Sequence, residues 1–224
     1  MKQLLIGAVI LLWVPGAVGD DLEYFAQLSL KTRYLGKLGT TVDDRPVLQP
    51  YLEVSQNQGF YASLWLNVPL EEGNPNRSLE IEPSAGLRRV VKGWAMDLFV
   101  MLTDFQNPRV LDFDSDVFST GVKLNNGRFA VEAIRYIADG GRDGLLGSIG
   151  LRHQWRDRMF LSLDTHYADG PLHFRPISYL KLKLEVPLQP TSMALFVEVL
   201  EVLHSTSATE RRRDQTAVGI SYRF

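Results

Sequence analysis

Four residues with chemically active side chains lie close together in the second half of the chain: Asp164, His166, Asp169 and His173. A carboxylate beside an imidazole can activate a water molecule for hydrolysis or hold a metal ion. Aspartate and histidine are also common in loops, and the sequence has no second cluster of this kind to complete such a site. We therefore expect no enzymatic activity, no bound metal and no other cofactor.

Three aspartates at every second position, Asp112, Asp114 and Asp116, would share one face of an extended chain. Such a face can bind a divalent cation. An EF-hand loop that begins at Asp112 would need glycine at the position of Val117 and glutamate at the position of Lys123. Because neither is present, the pattern favours a solvated acidic loop.

A run of three arginines, Arg211 to Arg213, lies near the end of the chain. Guanidinium groups pair well with phosphate oxygens, so the run could contact the phosphates of lipopolysaccharide. A solvated charge run explains the same residues, and the sequence leaves both interpretations open.

Most ionisable residues follow a different pattern, in which they alternate with apolar residues. Successive side chains of a strand point to opposite faces, so the pattern predicts one apolar face and one charged face. The charged face would hold Lys31, Arg33, Glu53, Glu80, Glu82, Arg88, Asp97, Lys123, Glu132, Arg152, Asp164, Lys181, Lys183 and Glu185. Inside a barrel, these residues would either line a narrow aqueous pore or pair with one another and plug it. The sequence leaves that choice open.

The elements that must position these side chains are strands. Apolar and polar residues alternate with a period of two from Asp20 onward, and prolines are scattered too widely for long helices. Turn sequences join neighbouring segments, as at Asn57-Gln58-Gly59 and Asn125-Asn126-Gly127. We count about twelve strands, each near the ~9–11 residues of a tilted membrane strand.

The connections between these segments alternate between short and long. The short ones are residues 57–59, 91–93, 125–127, 156–158 and 187–190, and the long ones are 35–45, 71–77, 104–115, 139–144, 169–175 and 204–214. Short periplasmic turns and long external loops are typical of outer-membrane barrels. The pattern predicts an all-β fold, a transmembrane antiparallel up-and-down β-barrel with an even strand count and both chain ends on the short-turn side.

A secreted soluble sandwich or a lipocalin-like barrel would show the same alternation with its apolar face turned inward. Alternation alone does not say which face is inside. Aromatic residues near strand ends favour the membrane barrel, because they would form girdles at the membrane interfaces. These residues are Tyr34, Phe60, Trp94, Phe118, Phe129, Trp155, Tyr167 and Tyr222.

The first residues have the pattern of a secretory signal peptide, with charged Lys2, a short apolar run from Leu4 to Val14, and small residues up to Gly19. We expect cleavage to remove residues 1–19 and to leave 20–224 as one barrel domain in the outer membrane of a Gram-negative bacterium. The chain has no cysteine, so its stability after export must come from another source, such as a closed sheet.

The net charge of −2 gives no basic excess for binding nucleic acid, which we exclude as a partner. The expected partners are outer-membrane lipid, lipopolysaccharide, small solutes or ions, and the barrel assembly machinery. The last is indicated by an apolar row that ends on the final aromatic residue. The row consists of Val218, Ile220, Tyr222 and Phe224, which would present an edge strand to the assembly factor.

Four short segments resemble the TorF family of porins, also called the Gcw_chp group. They are residues 29–41 (SLKTRYLGKLGTT), 46–51 (PVLQPY), 59–65 (GFYASLW) and 78–82 (SLEIE). The resemblance covers chiefly the first third of the chain, and Pro50 and Tyr51 stand where that family more often has glycines. It implies an outer-membrane barrel that forms a pore, with no defined substrate.

These observations together predict a narrow porin or channel for small solutes or ions. The alternative is a non-conducting structural or surface-interaction barrel that acts through its external loops. A hydrolase at the rim of the barrel, built on Asp164 and His166, is the least favoured interpretation.

Overall fold

The computed structural model describes residues 22–35, 41–43, 45–70, 79–105, 117–138, 142–155, 159–170, 173–188, 191–205 and 215–224. The strands in these ranges are β1 (Leu22–Lys31), β2 (Tyr34–Leu35), β3 (Thr41–Asp43), β4 (Val47–Gln56), β5 (Phe60–Pro69), β6 (Glu80–Val91), β7 (Trp94–Phe105), β8 (Val117–Asn125), β9 (Phe129–Ala138), β10 (Arg142–Trp155), β11 (Met159–Gly170), β12 (His173–Leu188), β13 (Met193–Ser205) and β14 (Gln215–Arg223). Within the same ranges, no helix is long and apolar enough to cross a membrane.

Twelve of these strands form one closed barrel. All neighbours in it are antiparallel, and β14 closes the sheet by pairing with β1. The two remaining strands, β2 and β3, form a small separate sheet in the connection between β1 and β4. The predicted antiparallel barrel of about twelve strands is confirmed.

The apolar face of the sheet is the outside of the barrel. Outward side chains such as Leu52 and Ile149 are 56% and 61% exposed, whereas inward polar residues such as Ser119 and Glu198 are buried. A soluble barrel would bury its apolar row and expose its polar one. The observed arrangement is that of a barrel surrounded by lipid.

Tight turns close one end of the barrel. Gly59 and Gly127 have φ angles of 84° and 86°, a conformation that costs glycine little. At the second turn, the Asn126 side-chain oxygen accepts a hydrogen bond of 2.7 Å from the Phe129 backbone N–H. Leu22 pairs with Gln56 at this end, and the Phe224 N–H bonds the Ala26 carbonyl at 3.0 Å, so the first and last described residues lie on the short-turn side, as predicted.

The prediction that short and long connections alternate strictly is wrong in two places. Only residues 139–141 separate β9 from β10, and only residues 171–172 separate β11 from β12. The polar, glycine-rich stretches that indicated loops continue as paired strands instead. Strand pairing uses backbone groups, so polar side chains do not prevent it. The 16 residues of β12 also exceed the ~9–11 needed to cross the bilayer.

Two prolines interrupt the ladder on either side of β5. Proline cannot donate a ladder hydrogen bond. The paired register skips Gln49 and Pro50 between β4 and β5, and Glu82 and Pro83 between β6 and β7. Side chains on the inner face bridge both gaps. Gln49 Nε2 donates to Asn67 Oδ1 at 3.0 Å, and Thr103 Oγ1 donates to Glu82 Oε1 at 3.0 Å.

The short strand β2 lies inside the barrel. Leu35 is 2% exposed and packs with Tyr179 and Leu200, while the Tyr34 ring lies 5.5 Å from the Trp65 ring. The prediction that Tyr34 belongs to an interface girdle is therefore wrong. The chain bends after Lys31, which breaks the alternation and turns the following residues toward the interior.

Candidate functional site

The inner face of the barrel carries the charged residues. The register of the strands shows which residues share this face. Asp97 lies opposite Arg88 on one neighbouring strand and opposite Lys123 on the other, and Asp164 lies opposite Lys181. The register places every residue predicted for the charged face on it except Arg33, which follows the end of β1. The face holds Lys31, Glu53, Glu80, Glu82, Arg88, Asp97, Lys123, Glu132, Arg152, Asp164, Lys181, Lys183 and Glu185.

Most of the inward cations are paired with carboxylates along the wall. Arg88 contacts Glu53 at 2.9 Å and Asp97 at 3.5 Å. The other pairs are Lys123–Glu132 at 3.2 Å, Lys183–Glu185 at 3.0 Å, Arg223–Glu185 at 3.3 Å, Lys31–Glu198 at 3.3 Å and Lys181–Glu198 at 3.7 Å. Pairing between neighbouring side chains holds the charges against the wall.

Two members of these pairs, Glu198 and Arg223, were missed by the sequence analysis. Arg223 alternates with Tyr222 and Phe224, so the period of the last strand already placed it on the inner face. Glu198 lies in the largely apolar segment of β13, where both faces carry aliphatic or aromatic side chains. Only its register opposite Lys183 and Ala217 identifies its position.

Glycines let aromatic rings lie against the wall. Phe99 pairs with Gly121 and Phe196 with Gly219. A Cβ added to Gly121 would lie 2.6 Å from the Phe99 ring, and one added to Gly219 would overlap the Phe196 ring, so each ring occupies the space above its glycine. Cations stack on these rings, with Lys123 at 4.7 Å from the Phe99 centroid. The rings therefore lie flat along the barrel wall and project less far toward the barrel axis.

The half near the short turns admits solvent. The inward side chains of Arg88, Lys123 and Arg223 are 43%, 43% and 51% exposed although they lie on the inner face. Arg88 donates its backbone N–H to the carbonyl of turn residue Gly59, and Arg223 ends β14, so solvent enters the barrel at the short-turn end.

The opposite half holds two apolar clusters beside buried polar side chains such as Asn67 and Glu80. One cluster contains Ile134 and Leu146, both fully buried, and a second contains Leu35, Tyr179 and Leu200. Val202 on β13 packs against both clusters. The two apolar clusters together narrow the interior on the long-loop side.

A cavity of about 310 Å³ lies between the two halves, and we call it the interior cavity. Its aromatic lining consists of Tyr34, Tyr51, Tyr61, Trp65 and Phe99, and its charged lining consists of Lys31, Glu82, Arg88, Asp97, Lys123 and Lys181. Burial and the adjacent carboxylates of Glu80 and Glu82 raise the pKa of Tyr34, so its hydroxyl stays protonated. In the part of the chain that the structure describes, this cavity is the candidate for a solute site.

The other predicted sites have different outcomes. Val218, Ile220 and Tyr222 follow one another on the outer face of β14, and Phe224 follows the strand with its ring 4.5 Å from that of Tyr222. Their role as an assembly signal stays a prediction. The acidic residues 112, 114 and 116 and the arginines 211–213 lie outside the described residues.

The structure does not support a hydrolase site built on the cluster of Asp164, His166, Asp169 and His173. Asp164 lies on the inner face beside Gly150, while the side chains of His166, Asp169 and His173 lie outside the described part. In that part, no group of three or more histidine, aspartate or glutamate residues could hold a metal ion.

Comparison with solved structures places the fold. The chain matches the KdgM porin with a TM-score of 0.58 and 12% identity over 88% of this chain and 98% of that one. It matches the NanC porin with a TM-score of 0.56 and 8% identity over 88% and 98%. An outer-membrane channel from Pseudomonas putida F1 matches with a TM-score of 0.52 and 9% identity over 93% and 98%.

No family model and no curated protein matches the sequence, so the resemblance to the TorF family is not confirmed. The matches to solved structures span nearly the whole length of those barrels, but their low identity limits the conclusion to architecture. The chain has the fold of the small twelve-stranded outer-membrane porins, with charged residues on its inner face.

Proposed function

We propose that this protein is a narrow outer-membrane channel for small solutes or ions. The observation that carries the proposal is a closed barrel with an apolar outer face whose inward charges, Arg88 and Lys123 among them, are exposed to solvent at the short-turn end and continue along the interior cavity. Water-exposed charges in a barrel interior are the lining of an aqueous channel. Residues on the charged face, from Lys31 to Glu185, are the proposed pore lining.

The cellular context belongs to the same proposal. Residues 1–19 act as a cleaved signal peptide, and the barrel lies in the outer membrane in contact with lipid and lipopolysaccharide. The apolar row that ends at Phe224 is recognised by the assembly machinery. The proposal includes membership of the TorF family. It assigns the protein no enzymatic role.

The kind of solute follows from the size of the interior. The KdgM porin has also been solved in complex with disordered oligogalacturonate, a saccharide chain, with a TM-score of 0.55 to this chain. In this chain, Tyr34 and Leu35 lie inside the barrel and narrow it on the long-loop side. The narrow interior favours solutes of one or two sugar rings over longer chains.

A second function, a non-conducting barrel that acts through its loops, is favoured by one observation. Val202 packs against both apolar clusters, so the long-loop half is closely filled. A barrel sealed there would not conduct.

Liposome swelling distinguishes the two functions. Vesicles that contain the purified barrel are diluted into isosmotic solutions of a monosaccharide, a disaccharide and a larger oligosaccharide. The channel predicts fast swelling with the smallest solute and slower swelling as size increases. Swelling no faster than that of empty vesicles, for every solute, supports the sealed barrel instead.

A further inference from the structure

We infer that the interior cavity is a binding site for an uncharged, sugar-sized solute. The inference deepens the proposed function, since a channel would deliver the solute to this cavity. Binding and conduction are nevertheless separate properties that can be measured independently.

Aromatic rings form the apolar walls of the cavity. The rings of Tyr34 and Trp65 meet at an interplanar angle of 55° with their centroids 5.5 Å apart, which makes a corner. Tyr51 pairs with Trp65 on the neighbouring strand and continues this wall. Flat ring faces pack well against the C–H face of a pyranose.

Hydroxyl groups lie on the same wall. Ser63 on β5 and Ser84 on β6 both line the cavity, and their hydroxyl oxygens are 2.6 Å apart. Ser63 also hydrogen-bonds the Tyr51 hydroxyl. Because each hydroxyl oxygen accepts two hydrogen bonds, the pair can still accept hydrogen bonds from a solute. Gln49 adds an amide to this lining. The combination of ring faces with neutral donors and acceptors matches a solute rich in hydroxyl groups.

The charges around the cavity do not favour an anion. Each of the four lining cations, Lys31, Arg88, Lys123 and Lys181, already contacts a carboxylate within 4 Å. Glu82 adds a further negative charge to the lining. An acidic solute would have to displace these partners or face their repulsion, whereas an uncharged one would not.

The volume indicates the size of the solute. The cavity measures about 310 Å³, at the small end of the ~300–1,000 Å³ range of small-molecule sites. This space suits one or two sugar rings.

Calorimetric titration of the purified, detergent-solubilised barrel tests the inference with two probes, maltose as a neutral disaccharide and digalacturonate as an acidic one. We expect maltose to bind with an affinity that does not change between low and high salt. Trp65→Ala and Tyr34→Ala should each weaken maltose binding by about tenfold. Trp94→Ala is the matched control, because Trp94 lies on the outer face, and it should bind maltose as the wild type does.

Tyr34 lies outside the twelve barrel strands, so Tyr34→Ala tests the site even if Trp65→Ala fails to fold. Circular dichroism confirms the folded state of each variant. Two results overturn the inference: no binding of maltose, or binding of digalacturonate alone that disappears at high salt. A barrel that conducts without binding maltose refutes the site and leaves the channel, whereas one that binds maltose without conducting refutes the channel and leaves the site.

Discussion

Lys31 on β1 and Glu198 on β13 form an ion pair of 3.3 Å across the strand that lies between them. That strand, β14, presents only Gly219 and Ala217 to the interior at this level, so the lysine side chain passes over it without obstruction. The pair thereby joins β1 to β13 across β14, at the point where the first and last strands close the barrel.

Removal of the Glu198 charge should destabilise the barrel. Glu198 is 3% exposed and also contacts Lys181, so Glu198→Gln leaves two cations without their shared carboxylate. We expect a loss of about 3 kcal/mol in the free energy of unfolding, measured by urea titration in lipid vesicles. Arg223→Gln is the control, because the Arg223 side chain is 51% exposed and its pair should contribute less than about 1 kcal/mol. Equal effects of the two changes would contradict the account.

The close approach of Phe99 to Gly121 gives a second prediction. Gly121→Ala places a methyl group where the ring lies, 2.6 Å from Phe99 Cζ, and should cost about 1–3 kcal/mol of stability. Gly147→Ala is the matched control, since no atom lies within 4 Å of an added Cβ there, and it should be nearly neutral. In a double-mutant cycle with Phe99→Ala, the cost of Gly121→Ala should fall. Additive effects would show that the ring and the glycine do not interact.

The inward residues of β2 should limit conduction. Leu35 packs against Tyr179 and Leu200 in the interior, so the double variant Tyr34→Ala, Leu35→Ala widens the narrow half of the barrel. We expect single-channel conductance to rise about twofold or more. Leu52→Ala, a change on the exposed outer face, should leave conductance unchanged. A double variant with wild-type conductance would mean that the narrowest point lies elsewhere.

Titration of Tyr34 gives a pH-dependent prediction. Its pKa is raised in the folded state by burial and by Glu80 and Glu82, so unfolding releases its proton once the pH exceeds the ordinary tyrosine pKa of about 10. The contribution of Tyr34 to stability is complete below that pH and declines above it. Unfolding titrations at about pH 8 and about pH 11 should therefore show a smaller loss of stability for Tyr34→Phe than for the wild type. Equal losses would contradict the assigned environment of Tyr34.

The barrel and its charged face could be predicted from the sequence because period-two alternation carries both pieces of information. Lys181 and Lys183 alternate with leucines, and that alternation alone places them on the face opposite the lipid. The turn at Asn125-Asn126-Gly127 was equally direct, because the left-handed conformation of Gly127 favours glycine.

The features that escaped prediction depend on contacts distant in the chain. Glu198 lies in an apolar segment, and its significance follows from Lys31, which is 167 residues away in the chain. Tyr34 lies inside the barrel because the chain bends after Lys31. A bend leaves no periodic pattern in the sequence from which it could be predicted. The sequence predicts a long connection over residues 139–144, but Arg142, Asp143 and Gly144 pair with β9, and only residues 139–141 separate the two strands.

Planar-bilayer recording of the purified protein tests the channel most directly. The account predicts discrete conductance steps smaller than those of general porins, with little preference between cations and anions, because the inner face carries both charges in paired form. A protein that inserts into the bilayer and never conducts would contradict it.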